Sequence, residues 1–216
     1  MSIFDDLKKK NDKEEKSYGW DAITNEFDKI YPNQKNPKHY GTLISWNLGG
    51  NDPLRGISIY DGGDYWHFVT YGLTELYEKE SKNKEVSGYG MEFTFKLKKD
   101  KYDNEEAEIK CICGILQSIA RITFTNGEIF KPYEFIYTGQ TTGIDANGHS
   151  NINGFITIPD TNAKPLNTPN GKMEFVELIG VTDNELKTLL NKELKVQELY
   201  EKLNSDITDY NRKSII

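Results

Sequence analysis

The chain has 216 residues, 36% hydrophobic, 12% aromatic and 28% charged, with a formal net charge of −7. That length holds one large domain or two small ones with a real core, and the aromatic content excludes a disordered chain. The apolar runs are too short to span a bilayer, the N-terminus lacks the apolar stretch of a secretion signal, and the acidity disfavours nucleic acid; it fits either a basic protein partner or a surface that is acidic only for solubility, and charge alone does not separate the two.

Residues 1–17, "MSIFDDLKKKNDKEEKS", form a charge-rich tail, predicted as a short frayed helix. The domain proper is expected over residues 18–216. "WDAITNEFDKIYP" places Trp20, Ile23, Phe27 and Ile30 at three- and four-residue steps, a helix that Pro32 ends. "YGTLISWNL" alternates and predicts a strand with Thr42, Ile44, Trp46 and Leu48 on one face. "NLGGNDPLRG" is a turn cluster, and "ISIYDGGD" a short strand with its turn. "DYWHFVTYGLTEL" begins as a strand and leads into "GLTELYEKE", a predicted helical turn. In that strand His67 points away from Trp66 and Phe68 and alongside Val69 and Tyr71.

"SKNKEVSGYG" is predicted as a polar loop, and "MEFTFKLKK" as a strand with one buried face: Met91, Phe93, Phe95 and Leu97 in, Glu92, Thr94, Lys96 and Lys98 out. "DNEEAEIKCICGILQSIARITF" is a helix capped by Asp103 or Asn104, with Ile109, Ile112, Leu116, Ile119 and Thr123 as its stripe and Asn126-Gly127 as its stop. "YEFIYTG", "NGFITIP" and "GKMEFVELIGV" are strand candidates, with a Gly/Asn/Thr-rich loop between the first two. Thr182 and Glu185 spell a capping box, with Val181 and Leu186 at the staple positions. Leu186, Leu189, Leu190, Val196, Leu199 and Leu203 continue an apolar face with a break near Asn191, and "DITDY" is a final short strand. These elements assemble most simply into one α+β domain with a mixed or antiparallel sheet.

The residues offer little chemistry. Cys111 and Cys113 are neither a disulfide framework nor a four-ligand zinc set; they read as small apolar side chains in a reducing, cytoplasmic protein. His39, His67 and His149 have no histidine at i+4, and there is no nucleophile elbow, P-loop or dinucleotide fingerprint. For His67 a buried, hydrogen-bonded ring competes with a metal or acid–base role. Asp52, Asp61, Asp100 and Asp103 stand at turns and at a helix start, where acids are mostly structural, although a catalytic pair would meet in space and not in sequence. No enzyme signature, metal site or cofactor is expected.

In order, "YPNQKNP", "ISWNLGGNDPLRGISIYD", "WHFVTYGLTELYEKE", "SGYGMEFTFKLKK", "TPNGKMEFVELIGVTDNEL" and "DITDYNRKSI" resemble the Suppressor of fused family from about Tyr18 to Ile216. The resemblance implies a single α+β domain with a curved mixed sheet flanked by helices. Animal members carry a second domain and hold Hedgehog-pathway transcription factors inactive, gripping a peptide that pairs as a strand. In them a tyrosine of an "LY" motif and an acidic loop residue before "SG" grip that peptide; Tyr77 matches the first, and Lys84, Glu85 and Val86 stand at the second. Single-domain members of this length resemble bacterial immunity proteins that block secreted toxins, nucleases among them. The resemblance therefore implies a non-catalytic partner-binding protein whose cognate toxin is basic, with a strand-capturing regulatory module as the alternative. The partner-binding residues expected are Tyr65, Tyr77 and Glu85. Trp46, Trp66, His67, Tyr71, Phe93 and Phe95 are expected to be scaffold.

Overall fold

The computed structural model describes residues 16–216, so all but the last two residues of the expected tail lie outside the described residues. Helix α1 spans Tyr18–Ile30 and buries Ile23 and Phe27, the centre of its apolar stripe. Strands β1 (Lys38–Gly41), β2 (Gly56–Asp61), β3 (Tyr65–Tyr71) and β4 (Val86–Lys98) follow. Each pairs antiparallel with the next. Helix α2 (Glu105–Asn126) is capped by Asn104, whose side chain accepts from the Ala107 amide, and Gly127 ends it in the left-handed conformation. Its predicted stripe is buried throughout.

Strands β5 (Phe135–Ile136), β6 (Ile152–Pro159), β7 (Leu166–Thr168) and β8 (Gly171–Thr182) complete one sheet in the order β1-β2-β3-β4-β8-β6-β5, with β7 also on β8. Only β4 and β8 run parallel, and the long connection between them carries α2. Helices α3 (Asp183–Leu190) and α4 (Val196–Leu203) close the described fold. The Thr182–Glu185 capping box starts α3, and Val181 and Leu186 are fully buried beside it. This is the α+β fold with a mixed sheet flanked by helices.

Helices cover both faces. Phe68, Phe93, Phe95, Val176 and Leu178 pack with Ile109, Ile112 and Leu116 of α2. On the other face Tyr60, Val69, Tyr71 and Phe175 pack with Ile23 and Phe27 of α1. Further along it, Ile156, Ile158, Ile179 and Val181 pack with Leu186, Leu189 and Leu199 of α3 and α4.

Between those last two clusters a polar seam crosses the sheet. His67 pairs across strands with Lys96, and Thr94 with Glu177. The Lys96 ammonium donates to Thr161 Oγ1 at 2.7 Å, Glu177 Oε2 at 3.2 Å and Asp206 Oδ2 at 2.5 Å, so each of its three donors is used. Burial pushes the Glu177 carboxyl well up from the usual glutamate range. His67 is fully buried. Its Nε2 lies 3.1 Å from Asp160 Oδ2 and its Nδ1 2.8 Å from the Tyr31 hydroxyl. Burial lowers the His67 pKa and keeps the ring neutral. Burial alone would raise Asp160, but the His67 hydrogen bond and the Lys96 charge outweigh it and hold this carboxyl below its usual range. An ionised carboxylate only accepts, so Nε2–H donates to Asp160 and Nδ1 accepts from Tyr31.

Several expectations are corrected. Trp46 is not on a strand: β1 stops at Gly41, and Trp46–Leu48 is a 3-10 turn closed by Gly49 at φ +84°. Among the described residues no neighbouring strand pairs with residues 42–48, and Leu43, Ile44 and Leu48 stand exposed. "GLTELYEKE" forms no helix, because side-chain carboxylates take its backbone amides. The polar loop is shorter than predicted, since β4 already begins at Val86. Glu92, Thr94 and Lys96 are buried, because β4 is central in a sheet covered on both faces. "YEFIYTG" pairs through only Phe135 and Ile136, and "DITDY" through a single bridge from Thr208 to Leu97. Leu190, placed on the apolar face, is exposed at the end of α3.

His67→Ala leaves the Asp160 charge and the Tyr31 hydroxyl buried without their partner. The expected loss of folding stability is roughly 1–3 kcal/mol, as for removing a neutral hydrogen-bond partner from buried polar groups. Urea unfolding followed by tryptophan fluorescence measures it, and a loss below about 1 kcal/mol contradicts this account of the seam.

Candidate protein-binding groove

Where β3 ends, the chain enters residues 72–81 without regular structure and builds one wall of a groove of about 380 Å³. Apolar lining comes from Trp46, Leu73, Tyr77, Tyr89 and Phe124. Phe124, on the last turn of α2, meets Trp46 edge-on at 5.9 Å and Tyr89 at 5.3 Å. Arg55, Glu78 and Glu80 line the same groove at exposed positions.

Irregular backbone needs partners for its amides, and here two carboxylates, one buried and one half-buried, supply them. Glu92 is fully buried. Its Oε1 accepts from the Gly72 amide at 2.9 Å, the Thr74 amide at 2.9 Å and the Thr74 hydroxyl at 2.7 Å, and its Oε2 from the Thr70 hydroxyl at 2.6 Å. Burial outweighs these four donors and leaves the Glu92 pKa above the usual glutamate range. Glu75 does the same for the far half of the segment. It accepts from the amides of Glu80, Ser81 and Gly88 and from the Lys79 ammonium. Burial raises its carboxyl, but Lys79 and those amides win and draw it down to about 2. Asn170, in the turn between β7 and β8, donates to the carbonyls of Glu75 and Tyr77 at 2.7 and 2.9 Å. The wall that carries Tyr77 is thus held from behind by three side chains from elsewhere in the fold or the segment itself.

Backbones also touch directly. The amides of Gly19 and Trp20 at the start of α1 donate to the Leu76 carbonyl at 3.0 and 3.2 Å. A Cβ on Gly19 would lie 2.3 Å from the Glu75 carbonyl oxygen, and one on Gly88 2.7 Å from that of Leu73. Gly88 also has φ +54°, so both positions demand the missing side chain.

The expected binding residues do not converge. Tyr77 lines the groove and is 38% exposed. Glu85 is exposed on the neighbouring 81–85 loop and stays out of the lining. Tyr65 opens β3, about 20 Å along the strand from Tyr71, with its hydroxyl 3.4 Å from that of Tyr31. Trp46 lines the groove rather than the core. Trp66 is half-buried, with the Lys38 and Lys99 ammoniums 5.1 and 3.9 Å from its ring. Tyr71 is buried and stacks on Trp20 at 4.5 Å; Phe93 and Phe95 are in the core under α2. Sequence reasoning missed Glu75, Glu92, Asn170, Tyr89 and Phe124. Among the described residues no group of three or more His, Cys, Asp or Glu is placed to hold a metal ion, and no described helix is long and apolar enough to cross a membrane.

The family model for Suppressor of fused protein (SUFU) matches residues 50–213. The chain belongs to the Suppressor of fused family. Suppressor of fused homologs from Homo sapiens and Mus musculus are each 29% identical to it over 181 residues. That match covers 78% of this chain but 36% of theirs, so the chain spans about a third of the relatives it matches. A chain of the Sufu–Fu complex crystal structure superposes with a TM-score of 0.77 at 25% identity, covering 92% of both chains. Drosophila Suppressor of Fused gives 0.75 at 24%, covering 92% of this chain and 51% of that one. A SUFU homologue from Neisseria gonorrhoeae FA 1090 gives 0.55 at 14%, covering 92% and 97%, and shares the fold.

Two measurements test the groove wall. Glu92→Gln keeps the shape but turns one acceptor into a donor among four donors. It should cost about 1–3 kcal/mol and speed hydrogen exchange at the Gly72 and Thr74 amides; unchanged exchange there contradicts the locking role. The Glu75 pKa is depressed in the fold, so its contribution is complete above the usual glutamate value of about 4.3 and is lost as pH falls through that value toward 2. Exchange at Glu80, Ser81 and Gly88, corrected for intrinsic rate, should rise over that window, and Glu75→Gln should show the raised exchange already at neutral pH.

Proposed function

We propose that this chain is a non-catalytic immunity protein that captures and neutralises a cognate protein toxin, using the groove around Tyr77 as part of its contact surface. The observation that carries partner capture is that groove: an aromatic lining on a wall held in place by buried Glu92 and half-buried Glu75. Rigid aromatic anchors lose little freedom on binding, and such residues dominate interface energies. The net charge of −7 supports a basic partner, by steering its approach. Membership of a family with a solved Sufu–Fu complex supports protein binding over catalysis. The toxin itself, a nuclease among the candidates, rests on the resemblance to single-domain members of this length.

A second reading is favoured by the same groove. A regulatory module could sequester a partner segment by strand addition beside residues 72–81, as the animal relatives' resemblance implies.

Co-expression with a candidate cognate toxin separates them. Under the first reading cells survive, and Tyr77→Ala raises the dissociation constant at least about tenfold, or 1.4 kcal/mol, by calorimetry. Cells dying as fast as without this protein would sink the immunity reading. A peptide-display screen that enriches one extended motif, competed by groove substitutions, would favour the second.

A further inference from the structure

We infer that the chain associates with a second copy of itself through the loop 42–50 and the cleft beside it. Hydrogen bonds fix this loop at both ends. The Thr42 amide donates to the Arg55 carbonyl at 3.1 Å, and the Thr42 hydroxyl to the Leu54 carbonyl at 2.6 Å. At the far end the Gly50 amide donates to the Ser45 carbonyl at 3.1 Å, and a Cβ on Gly50 would lie 2.0 Å from the Ile44 carbonyl oxygen. Between these ties three aliphatic side chains stand out in solvent: Leu43 is 101% exposed, Leu48 81% and Ile44 60%. Trp46 lines the groove instead. Apolar side chains clustered on the surface and held in place mark a contact surface.

Beside this ridge lies a recess. A cleft of about 680 Å³ is lined by Tyr40, Leu43, Ile44 and Ile57 and, from α2, by Gly114 and Gln117. Gly114 stands in the interior of α2, where glycine is disfavoured relative to alanine. The position is exposed, and among the described residues a Cβ there would meet nothing within 4 Å. The described fold does not require the missing side chain, whereas a surface approaching closely from outside would. A ridge next to a recess is self-complementary about a two-fold axis: Leu48 of each copy enters the cleft of the other, and every contact is made twice.

Charge selects a second copy over the basic partner of the groove. Residues Tyr40 to Asn51 include no Asp, Glu, Lys or Arg, in a chain that is 28% charged. Asp52 and Arg121, which also line the cleft, pair with each other at 3.2 Å. Two copies at −7 each repel one another, and a neutral patch is where they approach with least repulsion. A basic protein is drawn to the acidic margin of the groove at Glu78 and Glu80 and gains no such attraction here. The contact between copies is separate from capture at the groove and does not depend on it.

Sedimentation velocity of the full chain over a range of protein concentrations tests this. The mass should rise from one chain to two as the concentration increases. Added salt should tighten the dimer, because it screens the repulsion between the copies. Leu48→Asp and Gly114→Leu, the first charging the ridge and the second filling the cleft, should each raise the dissociation constant at least about tenfold with the circular dichroism unchanged. Tyr77→Ala, in the groove, should leave the dimer as it is. A mass of one chain at every concentration overturns the inference. So does a dimer that weakens as salt is added, that is indifferent to Leu48→Asp or Gly114→Leu, or that is lost with Tyr77→Ala.

Discussion

Lys96 is the constraint on which the rest of the fold hangs. An ammonium at the centre of a sheet is tolerated only with every donor satisfied, and its three partners come from β8, from the turn after β6 and from the stretch after α4. One side chain thereby ties together segments more than a hundred residues apart. Such a seam adds little net stability over an apolar one, but it discriminates strongly between registers. Slipping β8 by one residue against β4 would carry Glu177 to the face under α2, among Phe95 and Leu116. The parallel pairing at the middle of the sheet is therefore specified by polarity as much as by packing.

The groove follows from the same centre. Strand β4 bears Lys96 toward one end and Glu92 toward the other, so the strand that aligns the sheet also positions the wall beyond β3. A segment with no helix or strand of its own is fixed by acceptors reaching it from behind. This explains how a short irregular stretch can present Tyr77 in one place, which a binding surface requires. It also separates two roles for acids: Glu75 and Glu92 look inward and shape the wall, while Glu78 and Glu80 look outward and set its charge.

Much of the fold was legible where local rules act alone. The Asn104 cap, the Gly127 stop and the Thr182–Glu185 box are short-range signals, and all stand in the structure. The alternation in "MEFTFKLKK" identified a strand but not its surroundings: a polar residue facing a covering helix and one facing water look identical in a single chain. Trp46 failed for the complementary reason, since an alternating pattern forms a strand only when a neighbour exists to pair with it. The family resemblance pointed to Tyr77, and the segment that carries it lies at the groove. Glu92 and Asn170 left no trace in the sequence, because a carboxylate and an amide that reach across about twenty and ninety residues obey no spacing rule.

Backbone-on-backbone contact at Gly19 and Gly88 has a consequence for how such a surface diversifies. Side chains in a core can exchange volume with one another, but two main chains in contact have nothing to trade. Behind the groove, then, variation is closed off, and new specificity has to arise at the outward positions, such as Arg55, Glu78, Glu80 and the 81–85 loop. A lineage evolving against a changing partner would keep an almost frozen frame and rewrite only its margin.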